Sequence, residues 1–194
     1  MSLIINSAFI EEWNPRYDET EKDQPEYEAI LIAVAGELRK ESTLTRETFI
    51  RIINWKAARV KGRLNSDYEP YSKTFAKAHQ SADVLNRISL LTQLDGIGVP
   101  VASTILHFMD PHVVPINDVR TVEILHYAGL LKYLSRDEKR FAAFQEALLN
   151  IRANSPDFTL RHIDRALFAY HKQFFEPEIK GIQPKLKACR KSAP

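Results

Sequence analysis

Cysteine is nearly missing from this chain: Cys189 is the only one in 194 residues. A lone cysteine forms no internal disulfide, which suits a reducing cytoplasm. It also excludes a zinc finger and a cysteine-ligated iron–sulfur cluster. No apolar run is long enough to cross a membrane, so no membrane partner is expected. The opening residues lack a basic segment, an apolar core and a small-residue cleavage site, so secretion is not expected and a cytoplasmic location is. There is no phosphate-binding loop of the Gly-x-x-x-x-Gly-Lys type and no nucleophile elbow. The six histidines, His79, His107, His112, His126, His162 and His171, lack metal-ligand spacing such as His-x-x-x-His. They read as surface or core residues, and no metal or cofactor is expected from the side chains. No segment alternates with period two and no solenoid repeat is present, which leaves an all-α fold.

What is present is unevenly distributed. The net charge of +2 divides into −6 over residues 1–44, +3 over 45–115 and +5 over 116–194. An acidic N-terminal arm, residues 1–25, therefore precedes a helical domain over 26–176, and a basic tail follows over 177–194. A basic body is compatible with a polyanionic partner without demanding one. Residues 13–25 are polar, acidic and rich in turn formers, so they read as a loop or mobile arm.

The helices follow from spacing. Tyr27, Ile30, Leu31, Val34 and Leu38 share one face, while Ala29, Ile32, Ala33 and Ala35 extend the apolar surface nearly all round. That predicts a central, buried helix. Thr45 is a plausible N-cap for a helix with Phe49, Ile52, Ile53 and Val60 inward, ending near Gly62. Its other face carries Arg51, Lys56, Arg59, Lys61 and Arg63, with Trp55 among them. This is either a solvated face or a secondary phosphate-contacting patch. Residues 70–93 read as one long helix or two short ones, with Tyr71, Phe75 and Ala78 on one face and Val84, Leu85, Ile88 and Leu91 on another. Ser135 and Glu138 have capping-box spacing ahead of Phe141, Phe144, Leu148 and Ile151. Ser155-Pro156 precedes a last helix with Leu160, Ile163, Leu167, Tyr170 and Phe174 on one face. On this helix Asp164 reads as a surface residue, with Asp157 near its start. Many short helices crossing around two buried ones fit a compact multi-helix globular domain better than an up-and-down bundle.

The chain is organised around residues 94–118. Gly96-Ile97-Gly98 interrupts two apolar helical stretches, and Pro100 suits the first turn of the second helix. This predicts a helix–hairpin–helix at about 84–109, with Ile97 as a buried plug. Its exposed feature is a helix start carrying unpaired N–H groups, a natural seat for a phosphate. Asp118 follows Gly98 by twenty positions, after a proline-rich return that brings it back toward the hairpin. A phosphate seat beside a carboxylate suits cleavage of a bond in a nucleotide: the carboxylate can stabilise positive charge on a deoxyribose ring and orient a water. Asp at a helix start also caps backbone N–H groups with no further role. The two roles are compatible in one residue.

Leu94-Asp95-Gly96-Ile97-Gly98 with Ala102, followed by Asp118 at a helix start, resembles the helix–hairpin–helix DNA glycosylase superfamily, which includes endonuclease III and the alkyladenine glycosylases. The resemblance is specific over residues 91–125 and extends to Ile163-Asp164-Arg165-Ala166-Leu167. Residues 55–118 also resemble an uncharacterised bacterial branch of that superfamily. The resemblance implies a base-excision-repair fold that binds damaged duplex DNA and flips a nucleotide into a pocket. It implies a catalytic role for Asp118 and a backbone grip on one strand near Gly96, Ile97, Gly98 and Val99. Lys56 and Arg59 are added as phosphate contacts. It further implies that hairpin carbonyls can bind a monovalent cation.

Two departures narrow the expectation. Bifunctional members place a lysine nucleophile two residues after the second glycine, where this chain has Pro100, so no Schiff-base lyase is expected from that position. The cluster cysteines are absent. Asn117 also stands where relatives often carry an apolar residue. The expectation is a monofunctional glycosylase. The alternative is a non-catalytic helix–hairpin–helix module that binds DNA or serves assembly.

Overall fold

A computed structural model describes residues 3–175, and within them every regular element is helical. Most helices are started by a short polar side chain that accepts a backbone N–H, as the orphan donors at a helix start require. Asn6 accepts from Phe9 N and begins α1, Ser7–Trp13. Next come α2, Tyr17–Thr20, and α3, Gln24–Glu41. Thr45 caps α4, Arg46–Ala57, and the chain continues as a tighter 3-10 turn over Ala58–Arg63.

Residues 70–93 form two helices, α5, Glu69–Gln80, and α6, Val84–Thr92, because Asp83 caps a new helix start. Then follow α7, Val99–Met109, and α8, Val119–Tyr127. The last are α9, Glu138–Ala153, and α10, Leu160–Tyr170. A wide π turn, His171–Phe175, continues from α10.

The two buried helices are α7 and α10. Every residue of α7 from Val101 to Phe108 is buried. Between them α3, α4 and α7 pack on one side, and α1, α2, α8 and α9 pack on α10. α6 bridges the two groups by touching both α7 and α9.

Several expectations are corrected. α3 is not buried all round: Tyr27, Ile30 and Val34 face inward, while Ile32 is 75% exposed. Alanines on its outer face are helix formers that need no burial. Leu85 is also exposed, and the buried position beside Ile88 is taken by Arg87, which pairs with Asp110 at 3.3 Å. The capping-box reading at Ser135 fails by two residues, since Asp137 is the cap and accepts from Arg140 N. The last helix does follow Ser155-Pro156, and it is started by a capping box of Thr159 and His162.

The largest correction concerns residues 13–25, which are not a mobile loop. Phe9, Ile10, Trp13 and Tyr17 are buried. Trp13 meets Tyr170 edge-on at 5.0 Å, and Phe9 meets it at 5.3 Å. The acidic side chains that suggested solvent instead face the basic residues of α10: Asp18 pairs with Arg165 and Asp23 with Arg161. The basic tail expected from residue 177, with Cys189, lies outside the described residues.

Candidate nucleic-acid interface and active site

The hairpin turn is held from inside. Gly96 has φ +77°, a left-handed conformation that glycine adopts freely. A Cβ there would also lie 3.0 Å from the Leu64 side chain and 3.2 Å from the Arg63 backbone. Ile97 is buried beneath the turn, as its apolar character predicts. The Tyr71 hydroxyl donates to the Asp95 carbonyl at 2.9 Å and accepts from the Asn65 N–H at 2.8 Å. Gly98 differs from Gly96. Its φ is −95°, and a Cβ would meet nothing closer than Pro100 at 3.9 Å. Packing does not require glycine at 98, so its backbone stands open to the surface.

At the start of α7 the Val101 N–H bonds the Gly98 carbonyl at 2.9 Å, and Pro100 has no N–H to offer. The amide of Val99 is the helix-start donor that the helix leaves over. The Val99 side chain itself is buried.

The return from α7 runs back along that helix. His107 Nδ1 donates to the Val114 carbonyl at 2.7 Å, and the Tyr27 hydroxyl donates to Nε2 at 2.8 Å. A carbonyl only accepts, which sets the tautomer. Burial pushes the His107 pKa down to about 4, so the ring is neutral. Asn117, also buried, gives its N–H to Ser103 Oγ at 2.9 Å. These bonds deliver Asp118 to the hairpin.

Asp118 caps α8. Its Oδ1 accepts the Arg120 N–H at 3.0 Å. Its Oδ2 accepts Lys56 Nζ from α4, also at 3.0 Å. The pair is mostly buried, with side chains 19% and 13% exposed. Burial pushes the Asp118 carboxyl up, but the Lys56 charge and the Arg120 N–H outweigh it and hold it below the ordinary value. The group is ionised at neutral pH.

Asp118 and the hairpin line one cleft of about 570 Å³. Gly96, Gly98 and Pro100 form one side. Arg59, Arg63 and Arg136 stand exposed around it. Lys56 lies in the same cleft, with its charge directed at Asp118. A larger groove, about 770 Å³, lies against α9 and is lined by apolar side chains such as Leu131, Phe144 and Ile151. It contains none of the candidate site residues, Lys56, Arg59, Gly96, Ile97, Gly98, Val99 or Asp118.

Besides Asp118, the carboxylates of Glu21, Asp23 and Asp164 line the cleft. Asp164 is buried, not at the surface. It accepts Arg161 Nη1 at 2.8 Å and the Thr121 hydroxyl at 3.2 Å. Burial raises the Asp164 pKa against the opposing pull of Arg161. Arg161 is itself fastened by Tyr17 and Asp23 and lies over the Tyr17, Tyr27 and Trp55 rings at 4.8–5.0 Å. One signal was available: position 164 lies four residues after Leu160 and three before Leu167, so helical spacing puts it on the apolar face.

Among the described residues, no cluster of three or more His, Cys, Asp or Glu side chains could hold a metal ion, and no helix is long and apolar enough to cross a membrane. Comparison with family models, with curated proteins and with solved structures finds no match.

Proposed function

We propose that the chain is a monofunctional DNA glycosylase that binds damaged duplex DNA and hydrolyses the N-glycosidic bond of a flipped nucleotide. One observation carries this reading: the hairpin backbone at Gly96 and Gly98 and the ionised Asp118 line the same cleft. In this reading the Val99 amide and the Gly98 backbone take a phosphate of one strand. Arg59, Arg63 and Arg136 contact neighbouring phosphates, which positions the duplex without reading its sequence. The Asp118 carboxylate faces the deoxyribose. As the bond from C1′ to the base nitrogen breaks, its electron pair leaves with the base, and the carboxylate stabilises the positive charge on the sugar. Water then bonds to C1′, and its proton is balanced by the one the departing base takes up. Lys56 is a positioning residue here, holding the carboxylate by its Oδ2. Pro100 removes the hairpin lysine that an imine mechanism would use.

The test is base release from duplex oligonucleotides carrying single deaminated, oxidised or alkylated bases. The reading expects release of at least one of them, with intact strands until the abasic site is cleaved chemically. Release of none counts against it.

A second reading, a non-catalytic DNA-binding or assembly module, is favoured by a specific observation. Both Asp118 oxygens already have partners, the Arg120 N–H and Lys56. It expects salt-sensitive duplex binding that weakens when Gly98 gains a side chain, with no base release.

A further inference from the structure

Beside the hairpin turn lies a second, smaller pocket of about 250 Å³, between α4 and the segment that follows the 3-10 turn. It shares no lining residue with the Asp118 cleft. Its floor is apolar, made by Phe49, Ile50, Leu64 and the rings of Tyr68 and Tyr71. The two tyrosine rings are nearly parallel, 8° apart in plane with centroids separated by 6.2 Å. Their hydroxyls are engaged elsewhere: Tyr68 donates to the Leu44 carbonyl at 2.6 Å and Tyr71 to the Asp95 carbonyl at 2.9 Å. The polar lining is Arg46, Lys61, Asn65 and Ser66, all exposed. Neither Arg46 nor Lys61 has an ion-pair partner among the described residues. No carboxylate lines the pocket. Glu37, at the start of α4, accepts the Thr45 N–H and the Thr45 and Thr48 hydroxyls at 2.6–2.8 Å. Asp67 accepts the Glu69 N–H at 3.0 Å, and Glu47 is exposed outside the lining.

From these observations we infer that this pocket binds a small flat ring bearing an anionic group, an aromatic carboxylate or an aryl phosphate. The face of such a ring is apolar and packs on the aromatic floor. Its anion meets Arg46 and Lys61, where a charged acceptor makes the stronger hydrogen bond. Pockets for drug-sized ligands run to roughly 300–1,000 Å³, so the space here suits one ring and its substituent. The floor also braces the hairpin: Leu64 is the side chain that a Cβ at Gly96 would meet, and Tyr71 holds the Asp95 carbonyl. The ligand therefore sits against the support of the hairpin, apart from the Asp118 cleft. No DNA is needed for this binding, so the pocket and the glycosylase reading stand or fall separately.

The experiment titrates the ¹⁵N-labelled full chain with phenyl phosphate, benzoate and the uncharged benzyl alcohol, read by amide chemical shifts. Phenyl phosphate and benzoate are expected to shift Ile50, Asn65, Ser66 and Tyr68 together, with a Kd of about a millimolar or tighter for so few atoms. Benzyl alcohol, which keeps the ring and lacks the charge, is expected to bind several-fold more weakly. Inorganic phosphate alone, which lacks the ring, is expected to leave Ile50 and Tyr68 unmoved. Arg46→Gln with Lys61→Gln, both at exposed positions, brings phenyl phosphate down to the affinity of benzyl alcohol. If that variant fails to fold, added salt makes the same test on the wild-type protein, weakening the anions and leaving the alcohol unchanged. Shifts confined to Asp118, Val119 and Arg120 place the anion in the other cleft and overturn the inference. So do equal affinities for phenyl phosphate and benzyl alcohol, or no shift at the pocket residues up to about 10 mM ligand.

Discussion

On the hairpin side of the cleft, α6 and α7 are joined by a turn with Ile97 beneath it, and one hydroxyl, that of Tyr71, ties the Asp95 carbonyl in place. On the opposite side, residues 17–23 are pinned to α10 and the π turn by charge: Arg161 to Asp23, Arg165 to Asp18 and Lys172 to Glu21. The first wall depends on backbone conformation and apolar burial, both local. The second depends on ion pairs between residues far apart in the chain, taken partly out of water. Apolar packing tolerates small changes, whereas a buried charge that loses its partner is penalised in full. The two walls are therefore expected to fail differently.

The largest effect belongs to the charged wall. Arg161→Ala strands Asp164 in a buried site and detaches Asp23, and it is expected to cost about 3–5 kcal/mol in urea unfolding. A cost below about 1 kcal/mol would mean that the ion pairs do not hold this wall.

Next comes a pH effect on the hairpin wall. His107 on α7 titrates at about 4 in the folded protein and near 6.5 when unfolded. Below pH 6.5 the unfolded chain takes up a proton that the native ring refuses, so stability falls as pH drops from 6.5 toward 4. The full loss is about 3 kcal/mol. Urea midpoints measured between pH 7 and 5 check it, and a flat profile over that range contradicts the buried neutral ring.

The two hairpin glycines then separate fold from function. Gly96→Ala places a side chain at positive φ against Leu64, with an expected cost of about 1–3 kcal/mol. Gly98→Ala meets no neighbour and is expected to change stability by no more than about 0.5 kcal/mol, yet to weaken duplex binding several-fold by obstructing the backbone. Equal stability losses at the two positions would erase the distinction.

This contrast also explains what could be read in advance. Thr45, Ile97 and the Asp118 cap depend on neighbours within a few residues, and each is found where spacing places it. The return of Asp118 to the hairpin was legible because a short helix and a proline-rich segment leave little choice of path. The second wall was not. Asp18 and Asp23 are surface-like by composition, and only Arg161 and Arg165, about 140 residues later, make them structural. Asp164 was misplaced for a related reason. Its charge points to solvent, whereas its position on the apolar face and the buried Arg161 that makes its burial tolerable point inward. Lys56 belongs by spacing to a basic helix face, but folding sets it against Asp118.

In the proposed function the hairpin would grip DNA while Asp118, in the same cleft, performs the chemistry. Single-turnover base release by the wild-type and Asp118→Asn proteins, on the best-cleaved duplex of the panel, tests it most directly. Asn is expected to keep duplex affinity and to slow release by about a hundredfold or more. Equal release rates for the two proteins would contradict it and leave Asp118 as a helix cap alone.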